Sequence, residues 1–469
     1  MLLKKNTKNS LVFLICLLTP FLIKANTTPN EKDPPPNIII IFMDDMGYGD
    51  LSSAGHPTIH TPNIDRLSNE GLKWTNFYTA SSVCSPSRGA LLTGRYPIRI
   101  GLGGENRRVF FPDSKGGLPD SEVTIAEMLK EQGYQTGVVG KWHLGHLSQF
   151  LPAKQGFDYY YGIPYSNDMN YVKLETNSPN QPDTNAYQVP LMENEKVIER
   201  PADQNTITKR YTEKAIDFIL ENKTRPFFLY MAHSMVHIPL FASSDFKNSS
   251  DRGLFGDVMN EIDWSVGRIV ETLEKLNIDK NTLIVFTSDN GPWLVMRENS
   301  GSAGLLKAGK GTTWEGGMRV PGIFYMPGKI KPGITNELGS TLDLMPTIAA
   351  LTSSRLPTDR VLDGYDLGPV LFNNEPGLRD HFIYYRKREI YAVRKGAHKA
   401  HYITEDCYLK DNQRIEHQNP LLFNLNYDPG EHYDHAEDYP QILNELKALK
   451  EAHQSTIQFV ASELDKLVK

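Results

Sequence analysis

The sequence predicts an α/β protein: a large mixed sheet flanked by helices, followed by a smaller antiparallel sheet with a helix across it. Three observations carry this. Asn37-Ile-Ile-Ile-Ile-Phe-Met43 is a continuously apolar, β-branched run, the pattern of a strand covered on both faces. Thr282-Leu-Ile-Val-Phe-Thr287 is a second such run, and just before it Val258, Ile262, Val266, Ile269, Leu273 and Leu276 step by four and three as one helical stripe. Strands alternating with helices imply a sheet buried between helical layers.

Taken in order, the chain divides as follows. Lys4, Lys5 and Lys8 precede an apolar run over 11–18 that extends past Pro20 to Ile23 and closes on the small residue Ala25, so residues 1–25 read as a secretory signal peptide. The run is too short to cross the roughly 30 Å of a bilayer, which argues against stable membrane insertion. Residues 26–36 form a polar, Pro-rich linker, 37–375 the large α/β domain, and 376–469 a C-terminal α+β subdomain. Further strands are expected at 134–139 and 226–231 in the large sheet, and at 381–385, 390–393 and 421–425 in the small one, with a final helix from about Tyr439.

Composition narrows the function classes. Of 469 residues, 39% are apolar and 23% charged, which excludes disorder and a membrane bundle. Lys+Arg 50 against Asp+Glu 56 gives a net charge of −6 with no long basic run, so nucleic acid is not an expected partner. The three cysteines reduce to Cys84 and Cys407 once Cys16 leaves with the signal, too few for a disulfide framework. Cys407 is expected to be a small buried residue.

Polar residues recur where the buried strands end. Asp44-Asp45 follows the first strand and Ser288-Asp289-Asn290-Gly291 follows the strand at 282–287, so two oxygen-rich pairs stand where open α/β sheets build their sites. Oxygen donors select Ca²⁺ or Mg²⁺ over Zn²⁺, although adjacent acids also serve as solvated turn or cap residues. Lys141 and His143 follow the strand at 134–139, and His237 follows the one at 226–231.

The segment Cys84-Ser-Pro-Ser-Arg88-Gly-Ala-Leu-Leu-Thr-Gly94 reads locally as a helix start, with Pro86 in the first turn and Gly94 as the stop. It also resembles, at every fixed position of C-x-P-S-R-x-x-x-L-T-G, the signature of the type I, formylglycine-dependent sulfatases. The resemblance extends along nearly the whole mature chain. Gly140-Lys-Trp-His-Leu-Gly145, Ser288-Asp-Asn-Gly291, the segment from Lys310 to Pro321, and Leu422-Phe-Asn-Leu425 with Asp428-Pro-Gly-Glu431 are similar to later motifs of that family. The texture is similar to the arylsulfatase A and N-acetylgalactosamine-6-sulfatase branches, and Ser166 in Gly162-Ile-Pro-Tyr-Ser166 parallels a substrate-contacting serine.

The resemblance implies the alkaline-phosphatase-like sulfatase fold and a set of roles. Cys84 would be converted by a formylglycine-generating maturation enzyme to 3-oxoalanine (Cα-formylglycine). Ca²⁺ would be held by Asp44, Asp45, Asp289 and Asn290 with the modified Cys84. Arg88, Lys141 and Lys310 would neutralise the sulfate, and His143 and His237 would move protons. Lys141, Ser166, His237 and Lys310 would contact a sulfated carbohydrate or aryl sulfate. The scarcity of cysteine beside animal lysosomal members points to a bacterial periplasmic or secreted enzyme. Two other readings share these motifs: a phosphoesterase or phosphonate hydrolase of the same superfamily, and a non-catalytic glycan-binding relative with Cys84 unmodified.

Overall fold

The computed structural model describes residues 34–408 and 413–468; the expected signal peptide lies outside them. Strands β1 (Asn37–Met43), β2 (Leu72–Tyr78), β3 (Gln135–Gly140), β4 (Tyr159–Gly162), β5 (Leu191–Glu193), β6 (Lys196–Glu199), β7 (Phe227–Ala232), β8 (Thr282–Ser288), β9 (Gly322–Tyr325) and β10 (Gly333–Ser340) form one sheet in the order β10-β2-β9-β8-β1-β7-β3-β4-β5-β6. β8, β1, β7, β3 and β4 run parallel, whereas β9 pairs antiparallel with both β2 and β8. The sheet is therefore mixed, as the sequence predicts.

β1 shows why its sequence is continuously apolar. Ile38, Ile40 and Phe42 face one core with the helices α2 (Cys84–Thr93), α3 (Ile125–Lys130) and α7 (Leu344–Thr352). Ile39, Ile41 and Met43 face a second core with α1 (Pro62–Glu70), α4 (Ile207–Asn222) and α5 (Leu254–Lys275). All six are completely buried, and each such side chain contributes about 1.5–3 kcal/mol relative to exposure. The stripe Val258, Ile262, Val266, Ile269 and Leu273 is the inner face of α5.

A second sheet, β11 (His381–Arg386), β12 (Glu389–Lys395), β13 (His398–Glu405) and β14 (Arg414–Asn424), is antiparallel in that order. The last helix, α8 (Pro440–Ser455), lays Leu446 onto a third core built from this sheet and from Tyr78, Ala90 and Tyr96. The sequence reading omitted β13, whose stretch His398-Lys-Ala-His-Tyr-Ile-Thr-Glu405 carries ionisable residues on its inward face. Among the described residues no helix is long and apolar enough to cross a membrane.

Because β8, β1, β7 and β3 are parallel neighbours, their carboxyl ends lie side by side. The segments leaving those ends carry Asp289-Asn290, Asp44-Asp45, His237 and Lys141 to His143 to one edge of the sheet.

Candidate active site

Helix α2 begins on Cys84. Its N-cap, Val83, is extended and offers no side-chain cap, so the partial positive charge of the first turn acts on the surroundings of Cys84. Gly94, at φ 66°, ends the helix in the left-handed conformation, as its sequence position suggested. Cys84 Sγ lies 3.6 Å from Asp44 Oδ1. Burial pushes the thiol pKa far above its ordinary value, so the unmodified side chain is a neutral, weak nucleophile.

Three carboxylates surround this position, each paired with a cation. Lys141 Nζ is 2.5 Å from Asp44 Oδ2 and 3.1 Å from Ser166 Oγ. Lys310 Nζ is 2.8 Å from both carboxylate oxygens of Asp45. Arg88 donates to Asp289 Oδ2 at 2.8 Å and to the Lys141 carbonyl at 2.8 Å. Arg88, Lys141, Asp44 and Asp289 are completely buried. Burial raises the Asp44 pKa, but Lys141 and Arg88 outweigh it and hold the carboxyl well below the usual range. Asp289 is pushed up to about 7 by burial and by the charge of Asp44. The sequence reading assigned these cations to the sulfate; in this structure they lie against the acids.

The backbone that follows β1 is built for close approach. Asp45 sits at φ 62°, and its N–H donates to Asp289 Oδ1 at 3.1 Å. Gly47 is required because a Cβ there would stand 2.2 Å from the Ser302 carbonyl oxygen. Asp50 accepts from the N–H groups of Gly47 and Ser302, both at 2.6 Å, and so closes the loop. Asn290 Nδ2 donates to Asp45 Oδ1 (2.7 Å) and to the Gly291 carbonyl (2.9 Å), which leaves Asn290 Oδ1 buried with no donor. Ligand atoms of Asp44, Asp45, Cys84 and His237 lie within 4.8 Å of one another.

Both histidines have a tautomer set by a backbone carbonyl, which can only accept. His143, at φ 58°, donates from Nε2 to the Phe110 carbonyl (2.8 Å), leaving Nδ1 as an unpaired base. Burial, with Lys141 adding, keeps its pKa well below the ordinary histidine value. His237 donates from Nδ1 to its neighbour's carbonyl at Ile238 (2.5 Å), and its Nε2 is 3.6 Å from Asp45 Oδ2. Burial and Lys310 likewise push His237 down.

A cavity of about 730 Å³ opens over this cluster, with Cys84, His143, Ser166, His237 and Lys310 in its lining. Arg88, Lys141, Asp44, Asp45, Asp289 and Asn290 stand behind them. All eleven residues singled out from the sequence are thus brought to one place. Trp293 and Tyr408 were missed; both come from irregular segments and join the cavity wall only through tertiary packing. His233, just beyond β7, is fully buried without a hydrogen-bond partner on either ring nitrogen and does not line this cavity.

Comparison with known proteins agrees with this geometry. Residues 36–354 match the sulfatase family and residues 378–469 match the C-terminal region of aryl-sulfatase. The chain is 42% identical over 454 residues to arylsulfatase A of Bos taurus, covering 91% of this chain and 89% of that protein. It is 41% identical over 454 residues to N-acetylgalactosamine-6-sulfatase of Mus musculus, covering 90% and 87%. Among solved structures it is similar to the PsFucS1 sulfatase from Pseudoalteromonas sp., with a TM-score of 0.81, 29% identity and 90% of each chain covered. With its signature cysteine set at a helix start beneath an ionic cavity, the chain belongs to the sulfatase family and is an enzyme that hydrolyses sulfate esters.

Proposed function

We propose that this sulfatase removes sulfate from a sulfated saccharide, with Cys84 converted to Cα-formylglycine and Ca²⁺ held by Asp44, Asp45, Asp289 and Asn290. The observation that carries the reading is the placement of Cys84: it lies on the cavity wall at the start of α2, against carboxylates whose partners are Lys141, Lys310 and Arg88. As a plain thiol it is too hard to ionise for nucleophilic work, so conversion gives the position its chemistry. The donors suit a hard cation, since all but Cys84 are oxygens and Asn290 Oδ1 is a buried acceptor awaiting a positive partner. The two groups would supply the attacking hydroxyl of a hydrated aldehyde and a Lewis-acid charge on the sulfate oxygens.

The chain's own residues do the rest. Lys141, Lys310 and Arg88, already held by the acids, offer preorganised positive charge to the anionic oxygens of the reacting group. His143 Nδ1, neutral and unpaired, accepts a proton. Lys310 and His237 both face the cavity, and one of them protonates the departing alcohol: Lys310 from Nζ, or His237 from Nε2 once that nitrogen carries a proton as well as Nδ1; Ser166 Oγ, fixed by Lys141, binds substrate. The N-terminal segment directs export, and the low cysteine count suits a bacterial periplasmic or secreted enzyme matured by a formylglycine-generating partner.

The test is to express the chain with and without a maturation enzyme and to follow the Cys84 peptide by mass, metal content, and turnover of 4-nitrocatechol sulfate and 4-nitrophenyl phosphate. Loss of the sulfur with gain of a carbonyl oxygen, one calcium per chain and a preference for the sulfate ester are expected. Full activity with an intact thiol, a stoichiometric pair of zinc ions, or preferential phosphate turnover overturns the reading.

A further inference from the structure

The cavity wall carries two adjacent arginines with different bonding. Arg107 makes a two-pronged pair with Asp113, Nη1 to Oδ1 at 2.5 Å and Nη2 to Oδ2 at 2.7 Å. Arg108 has no carboxylate partner among the described residues. Its guanidinium meets the Cys407 sulfur and lies over the Tyr408 ring, 4.9 Å from the centroid. Of the other lysine and arginine side chains lining the cavity, Lys310 is paired with Asp45 and Arg107 with Asp113. Arg108 therefore stands half-buried at a substrate cavity, its donors bonded to the Cys407 sulfur and the Tyr408 hydroxyl but with no anionic carboxylate partner among the described residues.

Its position does not depend on those donors. The loop that carries it is clamped by the C-terminal segment: Asp465 accepts from the backbone N–H groups of Glu105, Asn106 and Arg107 at 2.8, 3.0 and 3.0 Å. Lys115 N–H donates to the Lys466 carbonyl (2.8 Å), and Glu463 N–H to the Gly101 carbonyl (2.8 Å). The loop is fixed through its backbone, so the Arg108 guanidinium is not needed to hold it and has only the neutral Cys407 and Tyr408 side chains as neighbours to exchange for an anion. A line of rings leads from the reacting end of the cavity to it. His237 contacts Trp293 at 5.5 Å between centroids, Trp293 contacts Tyr408 at 5.1 Å, and Tyr408 contacts Arg108. Aromatic faces of this kind pack against the C–H faces of sugar rings and leave hydroxyl edges to polar groups.

From this geometry we infer that Arg108 binds a second anionic group, a carboxylate or a second sulfate, on the saccharide whose first sulfate is cleaved beside Cys84. The inference rests on the saccharide-sulfatase reading and names its substrate class: a sulfated sugar carrying two negative groups, the second reached along the Trp293–Tyr408 wall. A guanidinium on a rigid loop, desolvated on one side by an aromatic ring, binds an oxyanion through paired charge-assisted hydrogen bonds at small ordering cost. Arg107 already places two donors on Asp113, which an anion would have to displace.

The test uses sulfated disaccharides matched in pairs: a uronate against its carboxyl-reduced counterpart, and a disulfated sugar against its monosulfated one, each assayed as substrate and as inhibitor of 4-nitrocatechol sulfate hydrolysis. The mature enzyme should favour the doubly anionic member of at least one pair by roughly tenfold or more, chiefly through KM or Ki. In Arg108→Gln that preference should vanish, and Arg108→Lys should restore part of it. The preference should weaken as salt is raised. The pair that responds identifies carboxylate or sulfate. An enzyme with no preference in any pair, or an Arg108→Gln variant that keeps the preference, overturns the inference. Failure of the sulfatase reading shows separately, as absence of 4-nitrocatechol sulfate turnover.

Discussion

Two buried ionic clusters meet along the segment from Lys310 to Arg319, and they differ in what they leave undone. Glu315, on the short helix α6 (Glu315–Met318), lies 2.9 Å from Lys399 Nζ, which is also 3.0 Å from Glu431 and 2.8 Å from the Thr313 carbonyl. Tyr78 and Tyr384 donate to Glu315, and His401 Nε2 is 2.7 Å from Glu431. Burial raises the Glu315 pKa, yet Lys399, Arg394 and Arg319 hold it at about 2. The cluster around Cys84 uses the same ingredients at the same burial. His401 Nδ1 and Arg319 Nη1 lack hydrogen bonds too, but Arg319 Nη1 is 3.6 Å from Glu315 Oε2 and His401 is sealed with its ring 4.2 Å from that of Trp314. His143, by contrast, lines the same cavity as Cys84 and keeps an unpaired Nδ1, and Asn290 Oδ1 lacks a donor beside the Asp45 carboxylate. Buried ion pairs alone are architecture; unfinished bonding at a cavity is what marks chemistry.

The largest expected effect tests that distinction. Cys84→Ala should abolish sulfate-ester turnover while stability falls by only about 0.5–1.5 kcal/mol, the scale of deleting one buried heavy atom. Hydrolysis of 4-nitrocatechol sulfate and a thermal melt measure the two sides, and near-normal turnover would end the proposed mechanism. One lysine from each cluster sharpens the comparison. Lys310→Ala should lower kcat/KM by roughly 10²–10³-fold, as removal of a preorganised charge does. Lys399→Ala should instead destabilise the fold by about 3–5 kcal/mol, because it removes the cation that buried Glu315 and Glu431 share, and should keep far more turnover in the folded fraction. If Lys399→Ala melted normally and lost activity as Lys310→Ala does, the division between architecture and chemistry would be wrong.

A narrower effect is expected at His237. If it protonates the departing alcohol, His237→Ala should impair sugar sulfates much more than activated aryl sulfates, since a phenolate leaves with less acid assistance. Equal losses on both substrate classes would move the acid role to Lys310.

The same contrast explains what the sequence made legible. β1 and β8 were readable because strands buried on both faces must be apolar throughout, and the acids following them were readable because parallel strands bring their ends together. β13 was not, because Lys399 and His401 point inward as polar groups held by Glu315 and Glu431, residues distant in sequence. β5 and β6, of three and four residues, are too short to show a period. Cys84 stood out through a contiguous motif, whereas Trp293 and Tyr408 meet at 5.1 Å from segments more than a hundred residues apart. Cys407 is buried as expected, but its neighbour is the Arg108 guanidinium and not a wholly apolar shell.

The smallest effect concerns acid and belongs to the architectural cluster. Burial, with Lys399 adding, pushes His401 down to about 4 although Glu431 opposes the shift. An unfolded histidine titrates near 6.5, so between those values the unfolded chain binds more protons at this site than the folded one. The site's stabilisation is therefore complete above about pH 6.5 and is lost as pH falls toward 4, at up to about 1.4 kcal/mol per pH unit. His401→Gln keeps an amide donor for Glu431 but cannot take up that proton. It should lower stability at neutral pH through the lost Trp314 contact, and it should flatten the decline between pH 6.5 and 4.5 by about 1 kcal/mol per unit relative to the unsubstituted enzyme. Acids whose pKa burial raises, such as Asp50 at about 7, contribute in the opposite direction but equally in both proteins, so the difference between the two urea-unfolding series isolates His401. Parallel series would show that His401 does not set the acid limit of the fold, and His233, held at about 3 by burial alone, would become the next site to test.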